Sequence, residues 1–188
     1  ELDGSNWNRR TVTSHSIPEA RRYHGMAYNP TRQSTLLFGG TTAGGWADVL
    51  GDTWEWNGNL WAELPHSTLP ELSARSKHAM AYFPPGNGVG LFGGVDASNL
   101  GSGTRRQDTW ARLHTDYRFW YLLSPGVSPS PRFSHVMVYD GARQRIVMFG
   151  GYTTGAVQDT WEWNGSTWTM LTPPNSPPAR AGHAMAYD

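Results

Sequence analysis

Four short phrases recur along this chain in a fixed order, and any fold assigned to it must explain all four. The first reads ARRYHGMAYN at 20–29, ARSKHAMAYF at 74–83, PRFSHVMVYD at 131–140 and ARAGHAMAYD at 179–188. The second is an apolar run closed by two glycines: LLFGG at 36–40, GLFGG at 90–94 and VMFGG at 147–151. The third is DTW at 52–54, 108–110 and 159–161. The fourth is a tryptophan followed by an apolar residue and a proline: Trp61 to Pro65, Trp120 to Pro125 and Trp168 to Pro173. His24, His78, His135 and His183 mark the spacing, at intervals of 54, 57 and 48 residues. A repeat of that length is one supersecondary unit copied, so the unit must be read before the whole.

Each phrase reads as a β-strand. In the first, His183, Met185 and Tyr187 alternate with Ala184 and Ala186, the period of two that gives a strand distinct faces. The second is apolar on both faces, as in a strand buried on both sides. Asn57-Gly58 and Asn164-Gly165 fall between the third and fourth phrases, where a tight hairpin needs positive φ. Helical periodicity with caps is absent from every stretch of ten residues. Each repeat is therefore a four-stranded antiparallel meander. One such sheet cannot bury two apolar faces alone, and radial stacking around an axis solves this. The predicted fold is all-β: a propeller of four-stranded blades in which His, Met and Tyr of one blade press on the Ala or Val face of the next.

Three complete blades are predicted, at 18–66, 72–125 and 129–174, with partial blades at both ends. ELDGSNW at 1–7 matches EWNGNLW at 55–61 and EWNGSTW at 162–168, so 1–13 reads as the end of a blade. Residues 179–188 read as the first strand of another. A propeller closes with about four to eight blades, so the expectation is a segment of a larger one.

Composition removes several classes of function. Charged residues make up 16% and the formal net charge is zero, so nothing points to nucleic acid or an anionic membrane. No Cys is present, which excludes disulfides, thiolate metal sites and Cys nucleophiles. No apolar run approaches the roughly 20 residues of a membrane-spanning helix. No cofactor and no catalytic set are predicted.

The apolar run with double glycine, and the tryptophan some 20 residues later, resemble the kelch-repeat family of β-propellers. The R-x-x-H-x-M-x-Y and DTWEWNG phrasing is similar to bacterial, often secreted, kelch proteins related to the galactose oxidase central domain. That resemblance implies an extracellular or periplasmic setting and partners bound on the loop face. Galactose oxidase itself needs a tyrosine cross-linked to cysteine beside copper, which a chain without Cys cannot build.

Residues present in every blade serve what every blade does. The four histidines, each three after an arginine, are thus expected to be structural rather than a metal ring, with ring nitrogens bonded to protein groups. Arg21, Arg75, Arg132 and Arg180 with Asp52, Asp108 and Asp159 read as recurrent ion pairs or backbone-anchoring contacts that fix blade geometry. Binding residues are sought where the repeat breaks. The loops 41–51, 95–107 and 152–158 differ most. They contribute Trp46, Asp96, the adjacent Arg105 and Arg106, and Tyr152. Tyr23, Lys77 and Phe133 sit beside them and are set against Gly182 in the last copy. The second blade also replaces the EWNG hairpin with the longer ARLHTDYRFW at 111–120, whose His114, Asp116, Tyr117 and Arg118 offer a second contact surface on the opposite face. The functions that follow are a noncatalytic module for a protein partner or assembly, or alternatively a carbohydrate-binding or carbohydrate-active propeller. A hydrolase would need paired carboxylates at the site, and the loops hold only scattered acids such as Asp48 and Asp96.

Overall fold

The computed structural model describes residues 5–6, 16–42, 48–65, 71–83, 88–96, 103–113 and 116–188. The blade end expected at 1–13 lies outside them except for Ser5 and Asn6. Among the described residues there is no α-helix, and no helix is long and apolar enough to cross a membrane.

Three four-stranded antiparallel sheets follow one another. Blade one is β1 (Gly25–Asn29), β2 (Ser34–Thr41), β3 (Val49–Trp56) and β4 (Trp61–Leu64), hydrogen-bonded in that order. The chain next adds β5 (Arg75–Ser76), β6 (Ala79–Phe83), β7 (Gly88–Phe92), β8 (Val95–Asp96), β9 (Thr104–Arg105), β10 (Thr109–Arg112) and β11 (Tyr121–Leu123). Of these, β6, β7, β10 and β11 form blade two, while β5, β8 and β9 form a small three-stranded sheet. Blade three is β12 (Val136–Asp140), β13 (Arg145–Phe149), β14 (Thr160–Trp163) and β15 (Trp168–Leu171), again in sequence order. The four phrases thus become the four strands of each meander, and the fold is all-β, built of stacked four-stranded blades. Residues 179–188 form no ladder, yet they lie along blade three: Gly151 N–H donates to Arg180 O at 2.9 Å and Ala142 N–H to the Tyr187 hydroxyl at 3.2 Å.

The core sits between blades. One apolar cluster joins Ala27, Leu36 and Phe38 of blade one to Met80, Leu91, Trp110 and Trp120 of blade two. A second joins Ala81 and Phe92 to Ile146, Met148, Trp163 and Trp168. Each joint centres on the phenylalanine before the double glycine. Phe38 meets His78 edge-on at 5.4 Å and Trp120 at 5.7 Å, and Phe92 meets His135 at 5.5 Å and Trp168 at 5.2 Å. In blades two and three the tryptophan of the fourth phrase also donates its indole N–H across the joint, Trp120 to Thr53 Oγ1 at 3.1 Å and Trp168 to Thr109 Oγ1 at 2.9 Å. A buried indole needs such a partner. The direction differs from expectation: His and Met press on the preceding blade, not the following one. Gly25 of β1 lies directly under His78 and Met80, and a Cβ there would meet both at 2.6 Å. Met26 and Tyr28, the blade-one equivalents of Met80 and Tyr82, are exposed.

One guanidinium is buried at the root of each blade. Arg75 donates to Asp108 through both amino groups at 2.7 and 2.8 Å and to Gly93 O at 2.9 Å. Arg132 repeats this with Asp159 at 2.7 Å twice and Gly150 O at 3.0 Å. Arg21 does the same with Asp52 at 2.5 and 2.7 Å and Gly39 O at 3.1 Å. The indole two residues after each aspartate donates to it, as Trp161 does to Asp159 at 2.7 Å. Burial alone would raise the Asp159 carboxyl, but the bonds from Arg132 and Trp161 outweigh it and hold the group below the ordinary carboxylate range. The recurrent ion pairs expected from the repeat are therefore present in all three blades.

The double glycine answers a steric demand. Gly93 has φ of 64°, and a Cβ there would meet Arg132 O at 2.7 Å. Gly94 is pressed by the first strand of its own blade, where a Cβ would meet the His78 Cβ at 2.8 Å. So the first glycine admits the neighbouring blade and the second admits its own.

Replacing Asp159 with Ala leaves Arg132 buried without its carboxylate, and should destabilise by about 3–5 kcal/mol in urea unfolding. Arg118→Ala, which removes an exposed side chain paired with Asp116, should change stability by under about 0.5 kcal/mol. Gly93→Ala should lower stability by about 2 kcal/mol or more. Gly126→Ala, with open space around the new methyl, should not.

Candidate functional site

At the end of the blades where the buried arginines lie, the start of each first strand pairs with the segment after its double glycine. Arg22 bridges to Thr41, Ser76 pairs with Val95, and Phe133 bridges to Tyr152. These pairings correct one alignment. Phe133 is equivalent to Arg22 and Ser76, and the residue equivalent to Tyr23, Lys77 and Gly182 is Ser134. The backbone confirms it: Tyr23, Lys77, Ser134 and Gly182 all have left-handed φ, at 60°, 57°, 54° and 68°.

Five of the expected binding residues converge here. Lys77 Nζ lies 4.8 Å from the Tyr23 ring centroid and 5.2 Å from that of Phe133. The Phe133 ring packs on Tyr152 at 5.3 Å, and the Arg105 guanidinium stands over Phe133 at 5.9 Å. Arg22 adds a cation over Tyr23 at 5.4 Å. Cations and rings therefore alternate across three blades: Arg22, Tyr23, Lys77, Phe133, Arg105. Arg22, Tyr23, Arg105 and Tyr152 are exposed, and Lys77 and Phe133 are half-buried. Arg22 is not among the sequence candidates; its neighbour Arg21 is the structural one, set apart by its fixed place three residues before the histidine.

The other candidates divide differently. Arg106 forms an ion pair with Asp96, which is 2% exposed and also accepts from Ser73 Oγ at 3.4 Å. Arg105 and Arg106 are adjacent in extended chain, so their side chains leave on opposite sides. Only Arg105 joins the patch. The loop 95–107 is not free coil at its ends, because β8 and β9 pair within it. Trp46 lies outside the described residues.

Of the expected second surface on the long hairpin, Tyr117 turns inward, while Arg118 is exposed and Asp116 half-buried. Tyr117 is buried under the Arg32 guanidinium at 4.0 Å, and Arg112 donates to Tyr117 O at 2.5 Å and Arg118 O at 2.6 Å. Burial pushes the Tyr117 phenol up to about 12, with Glu55 adding to the shift, and pulls Arg112 down to about 10. Tyr117 fills the joint between blades one and two. Asp116 accepts from Tyr121 Oη at 2.7 Å and from Arg118 at 3.1 Å. His114 lies outside the described residues.

The histidines are packing residues, but not in the manner expected. His78 and His135 are 6% and 4% exposed, and neither ring nitrogen of either makes a hydrogen bond of normal geometry. The backbones of Phe38 and Phe92 come close enough to favour the charged rings slightly, and no more. Burial, then Arg132, pushes His135 down to about 3; burial, then Arg75, pushes His78 well below the imidazole range. These rings are neutral wedges against phenylalanine. His24 and His183 are half-buried, and partial burial lowers them too. Among the described residues, no group of three or more His, Asp or Glu is arranged to hold a metal ion.

The double-glycine joints, the buried arginines and the meander order are those of a kelch propeller. The family described as the KLHDC2/KLHL20/DRC7 Kelch-repeats domain matches residues 1–188, and this chain belongs to the kelch-repeat family. It is also similar to Mei4-dependent protein 6 of Schizosaccharomyces pombe, 32% identical over 84 residues. That similarity covers 45% of this chain and 11% of the relative.

The neutral histidines predict acid sensitivity. An unfolded chain binds their protons near pH 6.5, whereas folded His135 resists until about 3. Stability is fully present above pH 6.5 and should fall as pH drops below it, by about 1.4 kcal/mol per pH unit for each such ring. Urea midpoints between pH 7.5 and 5 test this, in a window above the range where carboxylates protonate. His135→Leu should flatten the slope without abolishing it, since His78 and the half-buried His24 and His183 contribute the rest. A midpoint independent of pH would refute the assignment.

Proposed function

We propose that this chain is a noncatalytic binding or assembly module, a rigid propeller scaffold that receives a protein partner on its loop face. One observation carries this reading: Tyr23, Lys77, Phe133, Arg105 and Tyr152, drawn from three blades, meet in one patch above the buried arginine anchors. Aromatic rings and arginines held on a rigid frame are the chemistry of binding hot spots. Kelch-repeat domains commonly act in protein binding or assembly, which supports the same reading.

The alternative, a carbohydrate-binding or carbohydrate-active propeller, draws on the exposed rings of Tyr23 and Tyr152. It is the weaker reading, because cations already stand over the Tyr23 and Phe133 rings. Of the scattered loop acids, Asp96 is buried against Arg106, while Asp48 is exposed. A bacterial, secreted kinship with galactose oxidase, and the extracellular or periplasmic setting it implies, rest on sequence phrasing alone.

A photo-crosslinking side chain in place of Tyr152, compared with one in place of the exposed Leu122 of β11, tests the face. A partner adduct should form from position 152 and not from 122. Arg105→Ala should reduce that adduct several-fold while leaving the thermal midpoint within about 2 °C. Arg106 is unsuitable for this purpose, since its loss exposes buried Asp96. Adducts only from position 122, or equal loss of binding and stability, would overturn the proposal.

A further inference from the structure

We propose that the residue immediately before each repeat's buried histidine is the reading position of the loop face, and that in this chain Tyr23 and Lys77, with Phe133 and Arg105, receive a carboxylate-rich segment of a protein partner. This rests on the binding-module reading and deepens it by naming the partner's chemistry.

The reading positions are linked through their main chain. Lys77 N–H donates to Tyr23 O at 2.8 Å, Ser134 N–H to Lys77 O at 2.9 Å, and Gly182 N–H to Ser134 O at 2.8 Å. The chain of bonds passes from blade to blade, and each residue in it adopts left-handed φ. The fold therefore uses the amide and the carbonyl at these places and asks nothing of the side chain. Glycine serves there without strain, as Gly182 does. A side chain in that region carries a strain penalty, and for a bulky aromatic such as Tyr23 it is an outlier. The scaffold imposes the left-handed φ at all four positions, Ser134 included, but does not account for large side chains at 23 and 77, and strain of this kind gathers at functional sites.

What those two side chains build is a positive, aromatic strip. Lys77 lies between the Tyr23 and Phe133 rings, and Arg22 and Arg105 lie at its two ends. The carboxylates of the neighbouring anchors are already engaged, Asp52 by Arg21, Asp108 by Arg75 and Asp96 by Arg106. Neither Arg22 nor Arg105 has a carboxylate partner among the described residues. Three cations interleaved with rings suit anions carried on an apolar backbone, which is what Asp and Glu side chains in an extended segment present. A nucleic acid backbone asks instead for a long basic stripe on a basic domain, and this chain has 15 basic and 15 acidic residues.

The test is fluorescence anisotropy of the full-length protein with a fluorescein-labelled octaglutamate peptide, against octalysine and a dodecamer of deoxythymidine. Octaglutamate should bind saturably and octalysine should not. Lys77→Glu should weaken binding at least about tenfold, and Lys77→Arg by no more than about threefold. Lys77→Gly should lose the affinity yet keep its thermal midpoint within about 3 °C or raise it, because the backbone strain is relieved. Ser134→Lys, placing a cation at the next reading position, should tighten binding several-fold. No binding of octaglutamate, tighter binding of the oligonucleotide, or affinity unmoved by both Lys77→Gly and Ser134→Lys would overturn the inference. If octaglutamate fails while the adduct from position 152 persists, only this inference falls; if both fail, the binding-module reading falls with it.

Discussion

A guanidinium shut away from water at the root of each blade is the interaction on which the rest of this molecule depends. A buried charge is tolerated only when its hydrogen bonds are met and a counter-charge is close. Arg75 and Arg132, each 1% exposed, meet that condition through a two-pronged bond to an aspartate and a third bond to the first glycine carbonyl of the double-glycine pair. The same aspartate then accepts the indole of its own strand. One arginine thereby ties the start of strand one, the end of strand two and the start of strand three to a single point. Because Gly93 also lies under Arg132 O of the next blade, the point is shared between neighbours. Blade geometry and blade stacking are fixed by the same few atoms.

Much of this was legible because repetition exposes whatever every blade needs. Strand order, the doubly buried second strand, the Asn-Gly hairpins and the Arg–Asp pairs all appear several times, so chance and local context average out. The joints were legible in kind but not in direction. Alternation tells which residues share a face, while nothing in a single strand says whether that face looks forward or back. Histidine misled in its chemistry: a polar ring in every repeat suggests bonded nitrogens, yet His78 and His135 are used for shape, edge-on to Phe38 and Phe92.

The site was half legible, for reasons that are geometric. Arg105 and Arg106 look alike in sequence, and only the pleat of β9 and the residue beyond it sends one to solvent and the other to Asp96. Tyr117 reads as a surface aromatic in a long hairpin, but an added turn can fold inward as readily as outward, and here it fills the joint under Arg32. Phe133 and Ser134 were confused because both lie between the fixed arginine and histidine. Counting back from each histidine already sets Ser134, not Phe133, against Tyr23, Lys77 and Gly182; the backbone adds that this is the residue that turns left-handed. No side-chain property marks that residue, since Tyr, Lys, Ser and Gly all occupy it.

That last point connects scaffold to function. Where a fold holds a position through side-chain packing, the side chain cannot be chosen freely; Phe38 and Trp168 belong to this kind. Where it holds a position through the amide and carbonyl, the side chain is released, at the expense of backbone strain in every residue but glycine. The chain of bonds from Tyr23 through Lys77 and Ser134 to Gly182 is of the second kind, and it passes just ahead of successive first strands. A repeat protein built this way separates its two tasks at adjacent residues. The histidine wedges the blades together, and the residue before it is left to face whatever approaches the loop face.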